Sequence, residues 1–284
     1  NTKVYALIGD PVEHTLSPAI HNAAFKQLNI NAIYVAFQVA FPVLTEAVKG
    51  LRNLGIQGFN VTIPYKTSIL RLLDEVEPLA KNIRAVNTVK NDRGKLLGYN
   101  TDGEGALKAL ESEGIEVGGK KVVLVGAGGA ARAIGFTLSK LVDKLVILNR
   151  TEEKAVSLSL EISRYSGKQV RGSGLKPQIL SDELRDTEII INATSVGMYQ
   201  NVDDTPIGKG FISSGMTVFD IVYKPLKTRL LREAEEKGAK TLSGLSMLVY
   251  QAAKSFEIWT GTRPPEKVMF QAAMEELKKT HDLW

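Results

Sequence analysis

Residues 121–133 read Lys121-Val122-Val123-Leu124-Val125-Gly126-Ala127-Gly128-Gly129-Ala130-Ala131-Arg132-Ala133, an apolar run that passes at once into a glycine turn and an alanine-rich stretch. Four apolar positions in succession, Val122 to Val125, are the pattern of a strand buried on both faces, as in a parallel sheet. The turn fits G-x-G-x-x-A opening a helix. The first glycine makes the tight turn, the second lets backbone approach a pyrophosphate, and small Ala131 lets the helix pack against the sheet. The helix N-terminus, with its free N–H groups, then suits a phosphate. Gly126, Ala127, Gly128, Gly129 and Ala130 are therefore candidate dinucleotide contacts.

Outward from this motif the rhythm repeats. Leu145–Leu148, Ile189–Asn192 and Thr217–Val222 have the same texture, at intervals that leave room for a helix between strands. That is βαβ order and predicts a Rossmann-type, doubly wound parallel sheet. The strand after the glycine turn ends in Asn149-Arg150-Thr151. An NAD site usually places Asp or Glu there to bind the ribose hydroxyl. A guanidinium with neutral Asn and Thr beside it instead suits a 2′-phosphate, so NADP(H) is the expected cofactor.

Before the motif, Val4–Gly9, Ile33–Phe37 and Gly58–Pro64 read as strands, with helical-period segments from Ser17-Pro18 and from Val43 to Asn53. Ser17 reads as an N-cap with proline first in the helix. Ala85–Val89 and Leu96–Asn100 flank Asn91-Asp92-Arg93-Gly94, a hairpin signal. The texture changes near Gly118-Gly119, and after Ser246 the chain is helical to Trp259 and again from about Pro265 to Lys279. The fold class expected is α/β with two domains. Residues 1–102 form a substrate-binding domain completed by 245–284, and 103–244 form the NADP-binding domain.

Composition removes other classes of function. The 284 residues include no cysteine and three histidines. That excludes thiolate catalysis and Cys-ligated metals and leaves little for a histidine metal site. Lys plus Arg exceed Asp plus Glu by 36 to 31, but the basic runs are only pairs such as Lys120-Lys121 and Lys278-Lys279, so no nucleic-acid stripe is present. No stretch has the ~20 apolar residues of a membrane helix. A soluble, cytoplasmic protein acting on a small molecule, as a monomer or homodimer, is expected.

Polar residues of the first domain gather at strand ends: Thr15-Leu16-Ser17-Pro18, Asn60-Val61-Thr62-Ile63-Pro64-Tyr65-Lys66, Ala85-Val86-Asn87-Thr88 and Gly98-Tyr99-Asn100-Thr101-Asp102-Gly103. Together with Gly126–Ala131, Asn149–Thr151, Asn192-Ala193-Thr194, Asp220–Pro225 and Gly244–Gln251, this order resembles the shikimate dehydrogenase family over nearly the whole chain. N-V-T-x-P-x-K, A-V-N-T and G-Y-N-T-D-G in succession are much more specific than the glycine turn. The resemblance implies reversible NADPH-dependent reduction of 3-dehydroshikimate to shikimate, a step of aromatic amino-acid biosynthesis.

Residue by residue, the resemblance makes Lys66 and Asp102 the catalytic pair. Hydride arriving at a carbonyl carbon leaves an alkoxide that needs a proton from a group within hydrogen-bond reach. Lys66 is the candidate donor, and Asp102 orients the lysine and the substrate hydroxyl. The resemblance further gives Thr15, Ser17 and Tyr223 to the substrate carboxylate and Thr62, Asn87, Asp102 and Gln251 to its ring hydroxyls. Asn60 is either a further contact or a support of its loop. Thr194, Val222, Gly244 and Met247 match positions beside the nicotinamide. His14 and His21 read as structural.

Two positions depart from the family pattern. Thr15 stands where Ser is common, and Ser246 interrupts a common G-L-G-M. A quinate or dual quinate/shikimate dehydrogenase is the nearby alternative, and a non-catalytic NADPH- or shikimate-binding regulator is the alternative of another class.

Overall fold

The structure, a computed structural model, describes residues 1–198 and 201–281. It divides into two units, one made of residues 1–105 with those from 249 onward, the other of residues 106–248.

The first unit is built on β1 (Lys3–Gly9), α1 (Ser17–Gln27), β2 (Ala32–Gln38), α2 (Leu44–Asn53), β3 (Gly58–Val61), β4 (Glu75–Val76), α3 (Pro78–Ile83), β5 (Thr88–Asp92) and β6 (Lys95–Tyr99). Its sheet runs β2-β1-β3-β5-β6-β4. β1 is parallel to β2 and β3, whereas β5 is antiparallel to both β3 and β6. The β5–β6 turn has positive φ at Arg93 and Gly94, as a tight hairpin requires, and Asn91 Oδ1 accepts the Gly94 N–H at 2.7 Å. β5 starts at Thr88 and not at Ala85. The Val86 N–H turns away to Lys66 O at 2.8 Å and ties the hairpin to the lysine loop, while Asn87 still bonds Tyr99 O and the Val61 N–H.

Leu16, not Ser17, occupies the N-cap of α1, and no side chain caps it; Ser17 is already helical. The Thr15 hydroxyl accepts the Ser17 N–H at 3.2 Å. The Ser17 hydroxyl is thereby released from the capping role that Ser-Pro suggests.

The second unit holds most of α4 (Asp102–Ser112), then β7 (Lys121–Val125), α5 (Gly129–Leu138), β8 (Lys144–Asn149), α6 (Glu152–Ser166), β9 (Val170–Gly174), α7 (Pro177–Leu184), β10 (Ile189–Asn192), β11 (Thr217–Asp220), α8 (Arg229–Glu236) and β12 (Lys240–Ser243). All six strands are parallel, in the order β12-β11-β10-β7-β8-β9. This is the doubly wound arrangement, with its switch point between β7 and β10, outside whose carboxyl ends ligands bind in such sheets. Val122–Val125 and Ile189–Asn192 are buried throughout, as covered parallel strands must be.

The last two helices are α9 (Gly244–Thr260) and α10 (Glu266–His281). From Val249 on they belong to the first unit, where α10 lies on α1. Trp259 of α9 stacks on Tyr5 and donates its indole N–H to Val89 O at 2.9 Å. A Cβ on Gly105 would stand 2.8 Å from the Gln251 Cβ, so glycine there lets the start of α4 close on α9.

Candidate active site and dinucleotide-binding turn

In the first unit the three motif segments converge on one polar cluster. Lys66 follows β3 and is fixed from both sides. Its neighbour Tyr65 is fully buried with its hydroxyl on Val39 O, and its own carbonyl accepts Val86 N–H. Asp102 opens α4, near the positive end of the helix. Its N–H is taken by Asn100 Oδ1 at 3.1 Å, which frees its carboxylate from capping. That carboxylate, only 6% exposed, accepts Lys66 Nζ on Oδ2 at 2.6 Å and Asn87 Nδ2 on Oδ1 at 2.8 Å. A buried carboxylate needs such hydrogen-bond partners, because burying it without them is costly.

Asn87 is the hub. Its nitrogen donates to Asp102 and to Thr101 Oγ1 at 2.9 Å, while its oxygen accepts the Thr101 N–H and the Thr88 hydroxyl, both at 2.9 Å. Gln251 reaches the cluster from α9, with Oε1 3.2 Å from Asn87 Nδ2. Thr62 lies on the same loop as Lys66, its N–H on Ile8 O, and its methyl fills the space that a side chain at Gly9 would need. Thr15 and Ser17 sit at the head of α1, Ser17 buried and Thr15 half-buried.

Asn60 is a support. It is 6% exposed, accepts the Tyr34 hydroxyl at 2.7 Å and donates to Asn87 O and to the Thr88 and Ser255 hydroxyls. Thr88, Thr101, Ser255 and Tyr34 were not singled out in the sequence. Thr88 and Thr101 stood inside the motifs, but only the fold shows that their hydroxyls and that of Ser255 point at one another. His21 is packed between Tyr34 and Trp259, and burial lowers its imidazole to about 3, which keeps it neutral and structural.

In the second unit, Gly126 adopts φ +117° at the end of β7, and a Cβ there would lie 2.8 Å from Ala193 O on the neighbouring strand end. Gly128 is the N-cap of α5 and Gly129 its first residue, both with open space where a Cβ would stand. Ala127 and Ala130 complete a shallow cradle of small residues, with no side chain capping the helix. An anionic phosphate fits such a cradle.

At the end of β8, Asn149 Nδ2 donates to Thr151 O at 2.9 Å. Thr151 occupies the N-cap of α6 without a side-chain cap bond, so its hydroxyl stays available. Arg150 is exposed and forms no ion pair among the described residues, while Glu152 is drawn to Lys176 at 3.1 Å. Lys154, in the first turn of α6 and also exposed, is a further cation missed in the sequence because it reads as ordinary helix charge. A 2′-phosphate fits this corner.

Thr194 and Val222 are held by one buried network. Asn192 Oδ1 accepts the Thr194 N–H and hydroxyl, at 3.1 and 2.7 Å, and Asn192 Nδ2 donates to Asp220 Oδ1 at 2.9 Å. Asp220 also accepts the Val222 N–H and the Thr228 hydroxyl. Burial, opposed by those hydrogen bonds, pushes the Asp220 carboxyl up to about 6. Gly244 packs so closely that a Cβ would meet Ile221 O at 1.9 Å. Met247 is buried in the first turn of α9, and Tyr223 follows Val222, half-buried. Among the described residues no group of His, Cys, Asp and Glu could hold a metal, and no helix is long and apolar enough to cross a membrane.

A doubly wound sheet with this glycine turn, together with a separate unit bearing a Lys–Asp pair, defines an α/β protein of the dinucleotide-binding dehydrogenase class. Residues 7–89 match the shikimate dehydrogenase substrate binding domain, 107–203 the shikimate / quinate 5-dehydrogenase family and 244–274 the shikimate 5′-dehydrogenase C-terminal domain. The chain is 48% identical over 280 residues to a shikimate dehydrogenase (NADP(+)) of Methanosarcina mazei, covering 97% of this chain and 99% of that one. A crystal structure of a shikimate dehydrogenase in complex with NADP+ superposes with a TM-score of 0.93 at 47% identity, over 97% of this chain and 96% of the other. The shikimate 5-dehydrogenase of Thermus thermophilus in complex with NADP(H) and shikimate does so with a TM-score of 0.88 at 36% identity, over 97% and 100%. The chain belongs to the shikimate dehydrogenase family.

Proposed function

We propose that this chain is an NADP-dependent shikimate dehydrogenase, reducing 3-dehydroshikimate to shikimate reversibly. The observation that carries the reading is the Lys66–Asp102–Asn87 chain, a cation held at 2.6 Å by a carboxylate that is itself held by an amide. The bound cofactor supplies or accepts the hydride. Everything else is the work of side chains. In reduction Lys66 delivers a proton from Nζ to the oxygen that becomes the new hydroxyl, and in oxidation it takes that proton back. Asp102 keeps the ammonium aimed and offers its carboxylate to a substrate hydroxyl.

Shikimate is a carboxylate with three hydroxyls, so its site asks for neutral donors and acceptors more than for a second strong charge. Thr15, Ser17 and Tyr223 serve the carboxylate; Thr62, Asn87 and Gln251 serve the ring hydroxyls. Gly126, Ala127, Gly128, Gly129 and Ala130 hold the pyrophosphate, and Asn149, Arg150 and Thr151 the 2′-phosphate. Thr194, Val222, Gly244 and Met247 border the nicotinamide. We place residues 1–102 with 245–284 in the substrate-binding domain and 103–244 in the NADP-binding domain, in a cytoplasmic enzyme that is a monomer or homodimer.

The test is reduced-nicotinamide absorbance on mixing the protein with shikimate or quinate and with NADP or NAD. Signal with shikimate and NADP supports the reading. Equal signal with quinate makes the enzyme a dual one and Thr15 the residue to exchange for Ser. Silence in every well, with NADPH still bound, makes the chain a regulator.

A further inference from the structure

The motifs N-V-T, A-V-N-T and N-T-D hold polar residues that the proposed chemistry leaves unused, among them Asn60, Thr88 and Thr101. All three are buried, Thr88 completely. Strand register explains their meeting, since Asn60 on β3 stands directly opposite Thr88 on β5, and paired residues of antiparallel strands share a face. Ser255 descends on that face from α9, also fully buried. Its hydroxyl lies 2.7 Å from Thr88 Oγ1, 3.1 Å from Asn60 Nδ2, 3.3 Å from Thr101 Oγ1 and 2.9 Å from Gln251 O.

The Asn87 amide has one orientation that its neighbours allow. The Thr101 N–H can only donate and the Asp102 carboxylate can only accept, so the Asn87 oxygen faces the first and its nitrogen the second. Thr101 then accepts from Asn87 Nδ2 and spends its own proton on Gln251 O at 3.0 Å. The second lone pair of Asn87 Oδ1 faces the Thr88 hydroxyl at 2.9 Å, Asn60 Nδ2 donates to Thr88, and the single Ser255 proton is shared between Thr88 Oγ1 at 2.7 Å and Gln251 O at 2.9 Å. A continuous chain runs Ser255, Thr88, Asn87, Asp102, Lys66.

We propose that the paired hydroxyls of Thr88 and Ser255 are positioning groups for the reaction, which act through Asn87 to fix the direction in which Asp102 presents its carboxylate to Lys66. The inference rests on the reading of Lys66 and Asp102 as the acid–base pair. Neither hydroxyl touches the reacting atoms. Their contribution is to hold the amide in one orientation and one place, and buried networks of this kind lose more than one bond's worth of order when a member is removed. Misplacement of a catalytic group by a fraction of an ångström is felt in kcat more than in folding.

Two substitutions at one site separate positioning from packing. Thr88→Val keeps the shape and removes the hydroxyl; Thr88→Ser keeps the hydroxyl and removes a buried methyl. The expected result is that Thr88→Val lowers kcat by roughly tenfold or more with KM for NADP unchanged, while Thr88→Ser stays within about threefold of the native chain. Thermal midpoints need not follow that order. Ser255→Ala reproduces the Thr88→Val loss, and the double variant is no worse than the poorer single one, because both interrupt the same chain. Native kcat in Thr88→Val and Ser255→Ala, or turnover that simply tracks the thermal midpoint in all variants, overturns the proposal. Lys66→Ala is run beside them: if it retains turnover, the acid–base reading itself has failed, whereas its loss with native kcat in Thr88→Val sinks only the positioning role.

Discussion

Lys66 Nζ and Asp102 Oδ2 stand 2.6 Å apart, with the lysine side chain 23% exposed and the carboxylate 6%. This asymmetry suits the proposed roles, in which the more exposed Lys66 carries the proton and the buried Asp102 anchors it. A surface ion pair of similar length, such as Lys95–Glu75, has no such asymmetry, with both side chains at least half exposed.

Lys66→Ala is expected to lower kcat by about 10²- to 10⁴-fold, the range for removal of a positioned acid or base. The dissociation constant for NADPH, read from its fluorescence, should stay unchanged. Asp102→Asn should lower kcat and raise KM for shikimate together, because the amide cannot anchor the ammonium. Native kcat in Lys66→Ala would take the lysine out of the proton transfer.

Among the described residues Arg150 is a cation without an ion pair at the end of β8, and Lys154 lies in the first turn of α6. A hydrogen bond to a charged group is worth about 1.5–3 kcal/mol, so Arg150→Gln should raise KM for NADP by roughly 10- to 100-fold. KM for NAD should hardly move. Lys154→Gln should repeat the effect on a smaller scale. Parallel losses with both cofactors would mean that these side chains do not read the 2′-phosphate.

Asp220 supplies a pH signature of folding. Its carboxyl, raised by burial to about 6, keeps a proton that the unfolded chain releases near the ordinary carboxylate value. Unfolding therefore releases that proton between those two values, and the stability contributed at this site falls as pH rises through the window. The loss is about 3 kcal/mol in all and is complete above the folded value. Denaturation of the native chain and of Asp220→Asn from pH 4 to pH 7 isolates the effect, since other titrations cancel in the difference. The gap should move in favour of the variant as pH rises, and a constant gap would count against the raised carboxyl.

Gly58 on β3 faces the Trp259 ring. A Cβ there would sit 2.4 Å from the indole nitrogen and 2.9 Å from Val89 O, the carbonyl that Trp259 binds. Gly58→Ala should cost about 1–3 kcal/mol by overpacking. A lowered thermal midpoint with a changed tryptophan emission is the expected reading, and an unchanged midpoint would show that α9 can move aside.

In the second sheet the strands that the sequence revealed are the central ones. β7, β8, β10 and β11 are apolar without interruption because both faces are covered, and that pattern needs no knowledge of neighbours. β9 and β12 escaped notice for the opposite reason. They are the edges of their sheet, and Val170-Arg171-Gly172-Ser173-Gly174 has little strand propensity of its own. Gly172 is there because α6 crosses closely, a Cβ meeting Ala155 O at 2.4 Å.

The sequence by itself determined the class of fold, the glycine turn, the cation at the end of β8 and the residue types of the Lys66–Asp102 pair, since each is written in spacing or in a contiguous motif. Tertiary structure alone decided that Ser17 is not a cap, that Asn60 is a support, and that Ser255 and Gln251, some 150 residues or more from their partners, enter the same polar cluster. Hydrogen bonds are directional and short, and which donor faces which acceptor depends on strand register and on the return of α9 to the first sheet. Residue type limits the possible bonds, and only the packing of the chain chooses among them.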